Sequence, residues 1–259
     1  MFQMLDQGIK GKEIMMVQQQ NYISRLDFAK FLDVMPRLPI YHMDLQKPSV
    51  TPKELQMIAK IQYGCALRIG EVLSIHAEDF NLQTKIVTLR RTKTGLRKCS
   101  RCKGSGSNVI ESKTNHYDDS HICLKCNGKG KIRINQFTTI PEWLNSDLKS
   151  FLQSKSGQLF KTSRQVIAEY YKSAGYMANL DIFEMQTERE IHGVWTHLLR
   201  KSYSKWMQEM GASRELRMVK LRHANKDAHD AYDRPDINAV LIFESKHSML
   251  LFGECQRDE

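Results

Sequence analysis

Residues 51–73, TPKELQMIAKIQYGCALRIGEVL, read as one helix, a tight corner and the start of a second helix. Thr51 is a capping residue and Pro52 suits the first helical position. Glu54 stands three residues after Thr51, where its side chain reaches back to complete a capping box. Leu55, Ile58 and Ile61 recur at helical spacing, so this helix is expected to run to about Gly64, and a second to carry Arg68 to Ile75.

Working outward, Lys85 to Arg90 alternates as a β-strand, closed by a turn at Lys93-Thr94-Gly95. After a Gly-rich stretch from Lys98 to Lys131, alternation resumes over Ile132 to Ile140 and Pro141 ends it, which places the stretch inside a β-hairpin. From Asn145 onward the pattern is helical: Ser163 to Ala174 with Gly175 as stop, Ile191 to Met210 with Gly211 as stop, then Ser213 to Arg222. Before Thr51, the residues around Tyr22 to Val34 suggest one helix or a helical hairpin, followed by a linker with Pro36, Pro39 and Pro48. The expected class is mainly α with one small antiparallel β-sheet.

The 259 residues suffice for one principal domain. Lysine and arginine number 39 against 29 acidic residues, net +10, which favours a polyanionic partner. The longest apolar runs, Val240 to Phe243 and Met249 to Phe252, are too short to span a bilayer, and the polar amino terminus lacks a signal sequence. These features lead to the expectation of a soluble, cytoplasmic protein with no membrane-spanning segment.

Of six cysteines, four form two C-x-x-C pairs, Cys99 with Cys102 and Cys123 with Cys126, separated by 20 residues; Cys65 and Cys255 stand apart. That spacing reads as a tetrathiolate zinc site, and four cysteine ligands leave no open coordination position, so the metal is expected to be structural. The repeat C-x-x-C-x-G-x-G is similar to the cysteine-rich modules of heat-shock co-chaperones, which implies protein binding as an alternative role. The expected role is a small staple that replaces a core the insert cannot build; by stiffening the hairpin it could also present Lys98, Arg101, Lys103, Lys125, Lys129 and Lys131 toward a polyanionic partner.

Three further stretches belong together: Ala66-Leu67-Arg68-Ile69-Gly70-Glu71-Val72-Leu73, Thr196-His197-Leu198-Leu199-Arg200-Lys201, and Leu221-Arg222-His223-Ala224 with Tyr232. His197 and Arg200 lie three apart, His223 follows Arg200 by 23 residues, Tyr232 follows His223 by 9, and Arg91-Thr92-Lys93-Thr94 places Lys93 25 residues after Arg68. In order and spacing, residues 50 to 235 resemble the catalytic domain of the tyrosine recombinases, which include phage integrases and chromosome-dimer resolvases. The resemblance implies site-specific cleavage and rejoining of double-stranded DNA through a 3′-phosphotyrosine at Tyr232. It also implies Lys93 as the acid for the departing 5′ oxygen and a homo-oligomer on DNA, a tetramer by analogy.

The residue types suit that chemistry without a catalytic cofactor. Two guanidiniums, Arg68 and Arg200, can clamp a phosphodiester as charge develops on it. Tyr232, with an ordinary pKa of about 10, needs positive charge and a base, for which His223 or His197 serves. No phosphate-binding Gly-rich loop occurs in the chain.

The expected organisation is a short helical region and linker at 1–48 and a catalytic domain at 49–259. Within the latter, 98–131 form the zinc insert and 236–259 a tail that packs either within the chain or on a neighbouring protomer. Two features depart from the family pattern. The region before Thr51 is short beside the usual helical DNA-clamping domain, so the clamp is reduced, the chain is a shortened form, or a partner completes it. Arg222 stands where glycine is common, beside His223, where it could instead contact phosphate. The competing readings are a type IB topoisomerase and a catalytically silent, zinc-stapled DNA-binding or adaptor protein of the same fold.

Overall fold

The capping box at Thr51 forms as its spacing predicts: Thr51 Oγ1 accepts from the Glu54 N–H at 3.2 Å, and Glu54 Oε2 accepts from the Thr51 N–H at 3.1 Å. It opens a helix over Pro52–Gly64, in a computed structural model that describes residues 21–38, 50–90, 96–108, 121–180, 182–186, 189–223 and 236–247. Along the described chain the helices are α1 (Arg25–Val34), α2 (Pro52–Gly64), α3 (Ile69–Leu73), α4 (Glu142–Leu152), α5 (Arg164–Met177), α6 (Leu198–Glu209), α7 (Arg214–Leu221) and α8 (Ile237–His247). The strands are β1 (Phe80–Asn81), β2 (Ile86–Leu89), β3 (Leu96–Lys98), β4 (Ser107–Asn108), β5 (His121–Ile122), β6 (Lys131–Arg133), β7 (Gln136–Thr139), β8 (Phe183–Gln186) and β9 (Arg189–His192). The class is mainly α with a small antiparallel sheet, as expected.

Helix α2 is the spine. Leu55, Ile58 and Ile61, the three residues that set its period, are all buried. Tyr63 stacks on Phe28 of α1, with ring centroids 4.1 Å apart, and meets Tyr203 of α6 edge to face at 5.4 Å. Gly64 lets α2 approach α4: a Cβ there would stand 2.8 Å from Trp143 Cζ2. Buried Gln62 donates to the Thr196 carbonyl and accepts from the Tyr171 hydroxyl at 3.0 Å, so α2 fixes the residue just before His197. Among the described residues no helix is long and apolar enough to cross a membrane.

The main sheet is antiparallel, ordered β1-β2-β7, with Ile86 opposite Thr139 and Leu89 opposite Gln136. The hairpin continues as β3 paired with β6, and the cysteine insert grows from that second arm. The expected strand from Ile132 to Ile140 is thus two strands, because Ile134 and Asn135 separate the ladder of β6 from that of β7.

Other boundaries also shift. Arg68 is the cap of α3 rather than its first residue, and α4 begins at Glu142 behind Pro141. Gly175 does not stop α5, which runs on to Met177; a Cβ at Gly175 would lie 2.7 Å from Val194 Cγ2, so this glycine serves close packing. The helix expected from Ile191 starts only at Leu198, behind the hairpin of β8 and β9. Within this chain the tail helix α8 packs on α7 and β7.

Candidate active site and metal centre

The corner after α2 passes through Ala66, whose φ of +50° lies in the left-handed region, and delivers Arg68 to the head of α3. The Ala66 carbonyl accepts a hydrogen bond from Arg200 Nη1, and the Leu221 carbonyl accepts from Nη2. Arg200, in the first turn of α6, is only 2 % exposed, so two backbone oxygens from separate elements hold its guanidinium inside the fold.

Glu71 is the hub between the arginines. Its carboxylate lies 3.1 Å from Arg68 Nη1, 2.6 Å from Arg222 Nη2 and 4.0 Å from Arg200 Nη1, and it accepts from the Arg68 backbone N–H at 2.9 Å. Burial pushes the Glu71 carboxyl up, but Arg222, the Arg68 N–H, Arg200 and Arg68 together hold it below the usual carboxylate range. Burial is also the main force lowering Arg200, to about 9, helped by Arg222 and Arg68 and opposed by Glu71. Three guanidiniums against one carboxylate leave an excess of positive charge, and two of them, Arg200 and Arg222, are buried where solvent disperses it poorly. Such an arrangement is stabilised by an incoming anion.

Arg222 occupies the glycine-favoured position in an unexpected way. It caps α7 in the left-handed conformation, φ +53° and ψ +36°, which costs a non-glycine residue about 1–2 kcal/mol. The Arg222 N–H donates to the Val219 carbonyl and the His223 N–H to that of Met218, so the corner glycine would make is kept. The 2.6 Å ion pair with Glu71 offsets the strain. Among the described residues, Arg222 Nε is buried without a hydrogen-bond partner. Sequence reasoning gave Glu71 no role and offered Arg222 only as a phosphate contact; the available signal was the three-residue spacing from Arg68 to Glu71.

His223 follows directly and, with exposed His197 at the cap of α6, lines an open cleft of about 280 Å³ that also meets Arg200, Lys201, Lys205 and Arg217. Burial first, then Arg200, Arg68, Arg222 and His197, push the His223 imidazole below the ordinary histidine range. The neutral ring, able to accept a proton, is therefore the form present near neutral pH. Because folding disfavours the protonated ring, this histidine costs stability as the pH falls below its unfolded pKa of about 6.5. In an NMR titration the His223 ring proton is expected to give a midpoint below about 6.5, rising when duplex DNA adds negative charge. A midpoint at or above that value in the free protein would mean the guanidiniums do not face the ring.

The structure brings together four of the expected site residues, Arg68, His197, Arg200 and His223. The other two, Lys93 and Tyr232, lie outside the described residues.

The cysteine insert forms a separate small centre. Cys99, Cys102, Cys123 and Cys126 are buried and their sulfurs all lie within 4.8 Å of one another. Cys99 Sγ is 3.8 Å from Cys123 Sγ and Cys102 Sγ is 3.6 Å from Cys126 Sγ. Zinc–sulfur bonds of about 2.3 Å in a tetrahedron give edges of about 3.8 Å, so the four sulfurs fit that ion. The two knuckles are near copies: the Cys99 N–H donates to the Gly130 carbonyl and the Cys123 N–H to that of Gly106, each at 2.9 Å. They close backbone against backbone, since a Cβ at Gly106 or Gly130 would fall within 2.3 Å of the opposite knuckle's carbonyl oxygen.

No curated protein matches the chain in sequence. Among solved structures, the integrase of mycobacterium phage Brujita is similar, with a TM-score of 0.51, 12 % identity and coverage of 87 % of this chain and 57 % of that one. XerA recombinase gives a TM-score of 0.49 and 14 % identity over 89 % of this chain and 66 % of that one. The catalytic domain of bacteriophage HP1 integrase gives 0.45 and 13 % over 92 % and 98 %. The chain thus spans less than two thirds of the first two structures, and the likeness to the Brujita integrase bears on the fold. The model of the phage integrase family matches residues 40–238, which include every arginine and histidine of the cluster. The chain belongs to the phage integrase family.

Proposed function

We propose that this protein is a site-specific DNA recombinase that cuts and rejoins duplex DNA through a covalent 3′-phosphotyrosine at Tyr232. The observation that carries the reading is the cluster of half-buried Arg68 and buried Arg200 and Arg222 around Glu71, from which Arg200 reaches the cleft lined by His223 and His197. It is a preorganised receptor for a phosphodiester whose negative charge grows during reaction.

In the proposed step Tyr232 Oη attacks phosphorus, the bond to the 5′ oxygen breaks, and the phenolic proton passes to His223 or His197. Lys93 protonates the leaving oxygen. Arg68 and Arg200 bind the non-bridging oxygens, with Arg222 reinforcing the field. The phosphotyrosine retains the bond energy, and attack by a new 5′ hydroxyl rejoins the strand. Assembly on paired DNA sites as a homotetramer, and a catalytic unit spanning 49–259 behind a short region at 1–48, belong to the same proposal. Cys99, Cys102, Cys123 and Cys126 would hold a structural zinc ion, which stiffens the hairpin leading toward Lys93.

The test is a duplex nicked near the cleavage point, so that the short released strand diffuses away and leaves the adduct trapped. Peptide mapping of the trapped complex by mass spectrometry is expected to find the nucleotide on Tyr232. Attachment at another residue, or no adduct on any duplex recovered by binding selection, would refute the reading.

A further inference from the structure

The charge of this chain is unevenly placed. The described residues of the insert, 96–108 and 121–133, carry eight lysines and arginines and no acidic residue, whereas in the rest of the chain 31 basic residues nearly balance 29 acidic ones. Arg97, Lys98, Arg101, Lys103, Lys125, Lys129 and Lys131 are all exposed. Lys125 donates to Ser100 Oγ at 2.8 Å, across from one knuckle to the other.

Two ordinary explanations fall short. A solvated face mixes both signs, and this one does not. Balancing the cysteines requires less: a divalent ion with four thiolates carries two negative charges, while the whole stretch 96–133, with Lys113, Glu111, Asp118 and Asp119 counted, has six excess positive charges. The two knuckles place Arg101 and Lys125 at equivalent positions, between the cysteines of each pair, on a backbone held by the reciprocal glycine contacts. The cations are therefore presented from a fixed frame, not from a loose tail.

We infer that the cysteine insert is a second grip on DNA, binding the phosphate backbone outside the cleavage site without reading base sequence. This rests on the recombinase reading only in taking duplex DNA as the partner. Lysine and arginine on short knuckles meet phosphates as positive charges and release condensed counterions, so their contribution is read in the salt dependence of binding.

The experiment uses the full, zinc-loaded chain and a fluorescent duplex of mixed sequence, with affinity measured across a range of sodium chloride concentrations. The variant Arg101→Gln, Lys103→Gln, Lys125→Gln, Lys129→Gln is compared with a control that removes Lys53, Lys149, Lys161 and Lys172 in the same way. The insert variant is expected to bind about tenfold or more weakly near 0.15 M salt. Its slope of log affinity against log salt should fall by up to about 0.9 for each phosphate that it no longer neutralises, with the control close to wild type. If the fourfold variant loses zinc, the pair Arg101→Gln, Lys125→Gln is read instead, with a slope change of up to about 2. Unchanged affinity and slope with zinc retained, or an equal loss in the control, overturns the inference. The covalent trapping assay fails or succeeds separately, so a defect in the recombinase reading shows there and not in the salt slope.

Discussion

Arg200→Ala is expected to slow single-turnover strand cleavage by about 10²–10³-fold at saturating DNA, the usual loss when one preorganised donor to a developing charge is removed. The same substitution should lower stability, because the Ala66 and Leu221 carbonyls lose their partner inside the fold. Each orphaned buried acceptor costs about 1–3 kcal/mol. The two effects are separable. Urea unfolding reads the second, and cleavage assayed where the variant remains folded reads the first. Arg200→Lys keeps the positive charge but not the planar fork, so it should restore part of the stability and little of the rate. Full activity in Arg200→Lys would show that a point charge suffices and that the fork geometry does not matter.

The second large effect lies away from the cleft. Lys220 of α7 is fully buried, with Nζ 2.6 Å from Glu244 Oε1 of α8, 2.6 Å from Thr139 Oγ1 and 3.1 Å from the Thr139 carbonyl. Glu244 also accepts from the Tyr203 hydroxyl at 2.5 Å and from Thr139 Oγ1 at 2.6 Å. Burial and the Glu244 carboxylate push the Tyr203 hydroxyl well above its ordinary value, so it remains a donor. Four side chains thus join α6, α7, α8 and β7. Glu244→Ala leaves the Lys220 ammonium in the interior without its counter-ion, a defect of about 3–5 kcal/mol. The combination Lys220→Met, Glu244→Leu should be less destabilised than Glu244→Ala, since a buried pair replaced on both sides leaves no orphan charge. Denaturant unfolding of the three proteins checks the order; equal losses would mean that the packing of α8, not the ion pair, sets the cost.

Much of this architecture was legible in the sequence because local chemistry and tertiary demand coincide there. The Thr51 cap, the period of Leu55, Ile58 and Ile61, and the cysteine spacing all carry their meaning within a few residues. The start of α6 was not legible, since Ile191, Val194 and Leu198 fit a helical face as well as a strand followed by a helix, and only the pairing of β8 with β9 decides. Gly175 carries a stop signal in isolation, yet its lack of a side chain is used by Val194, a partner set by tertiary contact. In the site, the spacing marked Arg68, His197, Arg200 and His223. The hub role of Glu71 and the left-handed Arg222 depend on a contact spanning 151 positions, which no local pattern encodes. Nor does sequence reveal that Lys220 and Glu244 are interior, because both are residue types that ordinarily face water.

The meeting of Arg68, Arg200 and Arg222 on one carboxylate also limits how this chain can change over evolutionary time. Substitutions at positions sharing a partner do not add, so the cost of altering any one of these four residues depends on what stands at the other three. Glycine at position 222 would relax the backbone, yet it would leave Glu71 to pair with Arg68 and Arg200 alone and offset more of their charge. Arginine at 222 and glutamate at 71 are therefore expected to vary together, each making the other's loss more harmful than it would be with glycine at 222.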